Sequence, residues 1–137
     1  MRKKRILKLS NGREVKIKYK SPFVGMANVF GIKVDYVFYK ELTSVEQEAV
    51  IWHELFHKEK ANKIFFLIKT FFNFRKAAWL EEFAADKYAA ENFGKENTLR
   101  LLRKIKKLYG RGLVNYNPKT HPPIDERIKR IKEIKLK

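Results

Sequence analysis

Apolar and polar residues alternate at the start of the chain and then give way to helical spacing. Ile6-Leu7-Lys8-Leu9 and Val15-Lys16-Ile17-Lys18-Tyr19 flank Asn11-Gly12. That dipeptide between alternating runs predicts a hairpin closed by a type I′ turn. A second strand pair is predicted from Phe23 to Phe30 and from Ile32 to Tyr39, with Gly31 at the turn. From Val45 the pattern changes. Val45, Ala49, Val50, Ile51, Trp52, Leu55 and Phe56 surround a helix too apolar to lie on the surface. Its start is marked by Thr43 with Glu46, or Ser44 with Gln47, both at capping-box spacing. Another helix is predicted from Ala77 to about Phe93, with Gly94 as its C′ residue. Leu99, Leu102, Ile105 and Leu108 form the stripe of the next, and Gly110, Gly112 and Pro118 mark a loop. Pro123 suits the first turn of a final helix striped by Ile124, Ile128, Ile131 and Ile134. Strands first and helices after predict an α+β fold, with residues 1–137 as a single domain.

Between the first two long helices lies the run Ile64-Phe65-Phe66-Leu67-Ile68-Lys69-Thr70-Phe71-Phe72-Asn73-Phe74. Its 11 residues fall short of the roughly 20 that cross a bilayer. It reads as core or as the lip of a cleft. Peripheral membrane contact beside Lys63, Lys69, Arg75 and Lys76 is the alternative.

Composition narrows the class. A hydrophobic content of 45% over 137 residues supports one core and argues against disorder. A chain of this length buries roughly two-thirds of its unfolded surface. Cysteine is absent, which removes disulfides, thiolate ligands and a cysteine nucleophile, and fits a reducing cytoplasm. The basic start Met1-Arg2-Lys3-Lys4-Arg5 leads into alternation instead of an apolar run, so no signal peptide is read there. The net charge of +17 admits polyanionic partners. However, the lysines are spread over every segment, and no helix-turn-helix, zinc-finger or RNP pattern accompanies them.

The chemistry concentrates in histidine and carboxylate. Two of the chain's three histidines stand in His53-Glu54-Leu55-Phe56-His57. Residues four apart share one face of a helix, so both imidazoles can reach one zinc ion at about 2.0–2.1 Å. Glu54 would lie beside the metal, placed to take a proton from a water whose pKa zinc lowers to about 7. Two histidines and a glutamate in a buried helix are costly unless something satisfies them, and a zinc ion would. Catalytic zinc needs a third protein ligand. Glu81-Glu82-Phe83-Ala84-Ala85-Asp86 offers one: Glu82 and Asp86 are four apart, so one can ligate while the other accepts a hydrogen bond from a ligand histidine. Glu81 competes for the ligand role but has only Ala85 four residues on. The third histidine lies in Thr120-His121-Pro122-Pro123-Ile124-Asp125-Glu126-Arg127-Ile128.

HELFH, EFAAD and THPPIDERI, in that order, resemble the catalytic domain of HtpX-type and CAAX-prenyl-endopeptidase-type metallopeptidases, which are gluzincins. The matching segments run from about Ala27 to Ile131, most of the chain. The resemblance implies a zincin-like fold, His53, His57 and Glu82 as ligands of one Zn2+ per chain, and Glu54 as general base. It places Asp86 behind the ligands, with Arg127 bracing the site. His121 would stabilise the oxyanion or merely cap the loop before the last helix; Tyr116 is a weaker oxyanion candidate. The strand around Ala27-Asn28-Val29-Phe30 is similar to the zincin edge strand that holds substrate, although an ordinary strand would read the same. The relatives are integral membrane proteins, often with spanning helices between the first two motifs. Here only 24 residues (58–81) intervene between His57 and Glu82. The nearer likeness is to the small soluble minigluzincins, associated with latency imposed by C-terminal segments. A latency tail at about 118–137 is therefore one expectation, together with a homodimer formed by swapping the C-terminal helix. The other is a tail that docks on its own chain and holds His121 at the cleft.

The functional expectation is a zinc-dependent endopeptidase acting on a peptide or protein substrate in the cytoplasm. The rival readings are a basic nucleic-acid-binding domain and a scaffold that holds zinc but cleaves nothing.

Overall fold

The computed structural model describes residues 4–19, 25–28, 31–34, 36–60 and 74–136. Four strands come first: β1 (Lys4–Lys8), β2 (Glu14–Tyr19), β3 (Gly25–Asn28) and β4 (Gly31–Val34). Among the described residues five helices follow: α1 (Tyr36–Lys40), α2 (Ser44–Glu59), α3 (Phe74–Phe93), α4 (Lys95–Gly110) and α5 (Ile124–Glu133). The fold is α+β, mostly helical. Much of the apolar run at 64–74 lies outside the described residues; its last residue, Phe74, begins α3 and is exposed.

The first hairpin forms with Lys8 opposite Glu14, but its turn differs from the expected one. A type I′ turn needs positive φ at both central residues. Only Gly12 has it, at +90°, and no non-glycine residue does among those described. Gly12 N donates to Leu9 O at 2.9 Å and Leu9 N to Arg13 O at 2.8 Å. This is a three-residue loop, a type I turn followed by a glycine bulge. Ser10, the first loop residue, is held from outside the hairpin: its N and Oγ both donate to the Glu48 carboxylate on α2, the hydroxyl at 2.7 Å. Trp52 Nε1 donates to the same carboxylate at 3.1 Å. One glutamate thus staples the hairpin to α2.

The expected second strand pair is also revised. β3 and β4 pair antiparallel, but β4 stops at Val34 and residues 36–40 turn into α1. Phe38, Tyr39 and Leu42 are buried at helical spacing, so burial overrides the strand preference of aromatic residues. The sheet is not wholly antiparallel either. Its order is β1-β2-β4-β3, and β4 lies parallel to β2 with Ile17 opposite Ile32. Both isoleucines are fully buried on the face that meets the helices. The crossover leaves β3 at the sheet edge beside α2.

α2 starts with Thr43 and Glu46, one of the two expected capping pairs, with both reciprocal bonds present. Gly94, at φ +101°, closes α3 through its N–H to Ala90 O and opens α4. One residue thus ends one helix and begins the next, a conformation that an L side chain rarely adopts. α4 buries Leu99, Leu102, Ile105 and Leu108 as expected, with Leu101 besides. Pro123 is the N-cap of α5, one residue earlier than expected. α5 packs on α4 and α3 of its own chain, with Ile131 buried in the common core.

Ile131→Ala is expected to lower unfolding stability by about 2–5 kcal/mol, the usual cost of emptying a well-packed aliphatic site. Urea denaturation measures it. A loss under about 1 kcal/mol would mean that the last helix contributes nothing to the core.

Candidate metal centre

α2 and α3 pack side by side and run antiparallel, which sets the chemistry of the site. His53, the earlier histidine of α2, meets Asp86, a late residue of α3; His57 meets the earlier Glu81 and Glu82. His53 Nδ1 lies 2.9 Å from Asp86 Oδ1. His57 Nδ1 makes a short contact with Glu81 Oε2. An ionised carboxylate only accepts, so each imidazole turns its Nδ1–H outward and its Nε2 inward.

The inward atoms form a small triangle with Glu82. The two Nε2 atoms are 3.1 Å apart. Glu82 Oε2 is 3.0 Å from His53 Nε2, and Glu82 Oε1 is 3.1 Å from His57 Nε2. Four-coordinate zinc with bonds of about 2.0–2.1 Å sets its ligands roughly 3.3–3.4 Å apart. The triangle is within a few tenths of an ångström of that spacing. Its electronics point the same way. Glu82 Oε2 is sealed from solvent without a hydrogen bond. His53 Nε2 is close enough to donate, but a neutral His53 has already committed its proton to Asp86. With both imidazoles neutral, three electron-pair donors converge here, an arrangement that a cation satisfies. His53, His57 and Glu82 fit a metal ion, and the donor set of two imidazoles and a carboxylate suits zinc among others.

Arg127 extends the network. Its Nε and Nη2 each donate to Asp86 at 2.8 Å, a bidentate pair, and Nη2 is 3.8 Å from Glu82. Asp86 is 2% exposed and Arg127 4%. Burial raises the Asp86 pKa, but the Arg127 guanidinium outweighs it and holds the carboxyl below its ordinary value. Asp86 is thus fixed as an anion that accepts from His53.

Glu54 is buried on the same helix and makes no hydrogen bond or ion pair with a described residue. Burial raises its pKa, with His57 and His53 opposing. It lines a cavity of about 430 Å³ together with His53, Glu82, His121 and Arg127, backed by Phe38, Val50, Leu101 and Ile105. His121 Nε2 is 3.9 Å from Glu82 Oε1. The Thr120 hydroxyl lies 2.7 Å from His121 Nδ1; donating there, it leaves the ring proton on Nε2. Burial lowers the His121 pKa. Tyr116 is more remote from this role, because its hydroxyl donates to the His121 carbonyl at 3.1 Å. Ala27 and Asn28 lie on the edge strand β3, paired with Ile32 and Gly31 of β4.

Two features escaped the sequence reading. Glu81, a competing ligand by sequence, meets the outer nitrogen of His57. The signal was its offset, five residues before Asp86, against the four between the histidines. Tyr109 lines the cavity with Leu101 and Ile105; it stands one residue past the α4 stripe, and nothing in the sequence marks it. Compared with known proteins, the chain matches no family model, no curated protein and no solved structure.

Without a metal, protons take its place. Burial lowers the His53 pKa, but Glu82 and Asp86 outweigh it and push the value up to about 9. His57 is raised well above its ordinary value against the same burial cost, chiefly by Glu82. Metal must displace these protons. Titrating metal-free protein with Zn2+ at pH 7 is expected to release about two protons per ion. Calorimetry in buffers of differing ionisation enthalpy counts them, and release of less than about one would refute the proton placement. The metal-free fold should also depend on pH. The folded pKa of His53 lies above its ordinary 6.5, so its contribution is complete below pH 6.5 and is lost as the pH rises through about 9. Thermal unfolding of chelator-treated protein across that window checks the sign.

Arg127→Met would leave the buried Asp86 anion bonded to His53 but without its guanidinium. Breaking a buried pair in this way costs about 3–5 kcal/mol. Denaturation of the metal-loaded protein tests it, and a loss below about 1 kcal/mol would show Asp86 compensated by another route.

Proposed function

We propose that this chain is a zinc-dependent endopeptidase of gluzincin type on a zincin-like core, with one zinc per chain held by His53, His57 and Glu82. The observation that carries the reading is Glu54: a buried carboxylate with no bond to a described residue, in the wall of a cavity shared with two of those three residues. A structural metal site is closed by four protein ligands, whereas a catalytic one keeps a position open. Among the described residues, three ligand atoms converge.

When bound, zinc lowers the pKa of a water to about 7 and polarises a carbonyl oxygen. The chain's own residues supply the rest. Glu54 takes the proton of the attacking water and returns it to the departing amine; its raised pKa brings it nearer to neutral, where a base works best. His121, neutral and holding its proton on Nε2, donates to the carbonyl oxygen as negative charge grows there. Asp86 and Arg127 fix the His53 ring. An extended peptide adds to the edge strand β3 through the main chain of Ala27 and Asn28.

Latency is a second reading, favoured by burial. Glu54 and Glu82 are each 8% exposed, and residues 120 and 121 of the expected tail, with 115 and 117 just before it, form one wall of their cavity. Trp79 Nε1 ties that segment down through Pro118 O at 2.8 Å. A substrate reaching Glu54 passes beside this wall. The tail also delivers Arg127 and His121, so the same segment completes the site and restricts it. Among the described residues no helix is long and apolar enough to cross a membrane.

Glu54→Gln is expected to retain one zinc per chain and to lose about 10²–10⁴-fold in hydrolysis of casein or a quenched peptide. Metal analysis and turnover are measured on the same preparations. Wild-type protein that takes up no zinc at saturation, or a Gln variant as active as wild type, would falsify the assignment.

A further inference from the structure

Glu81 has no part in the reaction proposed above, yet its carboxylate is drawn into the cluster. It is the residue before Glu82 on α3, its side chain is 13% exposed, and its Oε2 meets His57 Nδ1. Asp86 does the same for His53 from the other end of the contact. Asp86 lies five residues beyond Glu81, while His57 lies four beyond His53. The longer glutamate side chain makes up the difference in reach. Both histidines therefore rest on carboxylates from one helix, although a backbone carbonyl or water satisfies an imidazole N–H equally well in hydrogen-bond number.

We propose that Glu81 is a positioning residue for the metal, acting through His57. As acceptor for Nδ1–H it fixes the tautomer and the ring rotation that aim Nε2 at the site. As an anion it makes that nitrogen a stronger donor. The pair of anionic partners sets metal retention: Asp86 governs one imidazole and Glu81 the other. This inference rests on the metal reading of the site, and its failure is separable from the failure of that reading.

Co2+ is the probe, because its visible spectrum reports the ligand set. Affinity is measured by competition with a chelator on full-length wild type, Glu81→Gln, Glu81→Ala and His57→Ala. Glu81→Ala is expected to bind about 10–100-fold more weakly. Its visible bands should be shifted but retain the intensity of the wild-type geometry. Glu81→Gln keeps a neutral acceptor and should lose less; this near-isosteric variant decides the matter if the alanine variant fails to fold by circular dichroism. Affinities within about twofold of wild type overturn the inference and leave the metal site standing. Loss as complete as in His57→Ala, with collapse of the bands, makes Glu81 a ligand and also overturns it. Wild type that binds no Co2+ or Zn2+ removes both readings.

Discussion

Everything at this site depends on the cost of placing polar groups inside an apolar helix. α2 must be apolar to anchor the core, through Ala49, Val50, Ile51, Trp52 and Leu55. It nevertheless carries His53 and Glu54 into the same burial. A buried imidazole needs a partner at each nitrogen, and α3 supplies them. Asp86 takes the outer nitrogen of His53, and Glu82 faces the inner nitrogens of both histidines. Burying Asp86 then creates a further debt, settled by the two bonds from Arg127. The chain of compensation runs from α2 through α3 to α5 and ends on a guanidinium that stays charged.

That chain explains why the last helix belongs to the site as well as to the core. Ile131 holds α5 by packing, while Arg127 holds it by charge. The segment before it carries His121 to within 3.9 Å of Glu82. The cavity near Glu54 thus has α2 on one side and the tail on another. Access and completeness are set by the same residues, which is why support of catalysis and restriction of it are not opposed roles for this tail.

The basic character of the chain has little to do with this arrangement. The cation that meets the cluster, Arg127, is committed to Asp86. Arg100, Arg103 and Lys107 line an exposed face of α4 whose opposite face is core. That is how a solvated amphipathic helix looks. The cluster gathers carboxylates in a strongly cationic protein, as expected where a dication or two protons must be held.

Local rules made much of the fold legible. The hairpin pairing, the Thr43 cap, the stripe of α4 and the glycine between α3 and α4 depend on residues within a turn or two of one another, and spacing records such relations. Where the sequence misled, a distant contact had intervened. Glu48 bonds Ser10 in a turn longer than expected; burial of Phe38 and Tyr39 converts an expected strand into α1. The candidate ligands show the same division. His53, Glu54 and His57 share one helix, so their common face followed from periodicity alone. Which carboxylate serves which nitrogen did not, because it depends on the antiparallel register of two helices separated by residues 60–73 in sequence. Sequence by itself determined the donor types and their place on helices. Only tertiary structure decided that Glu81 faces the outer nitrogen of His57, that Arg127 neutralises Asp86, and that Glu54 faces a cavity, since each requires the relative placement of elements that no local pattern encodes.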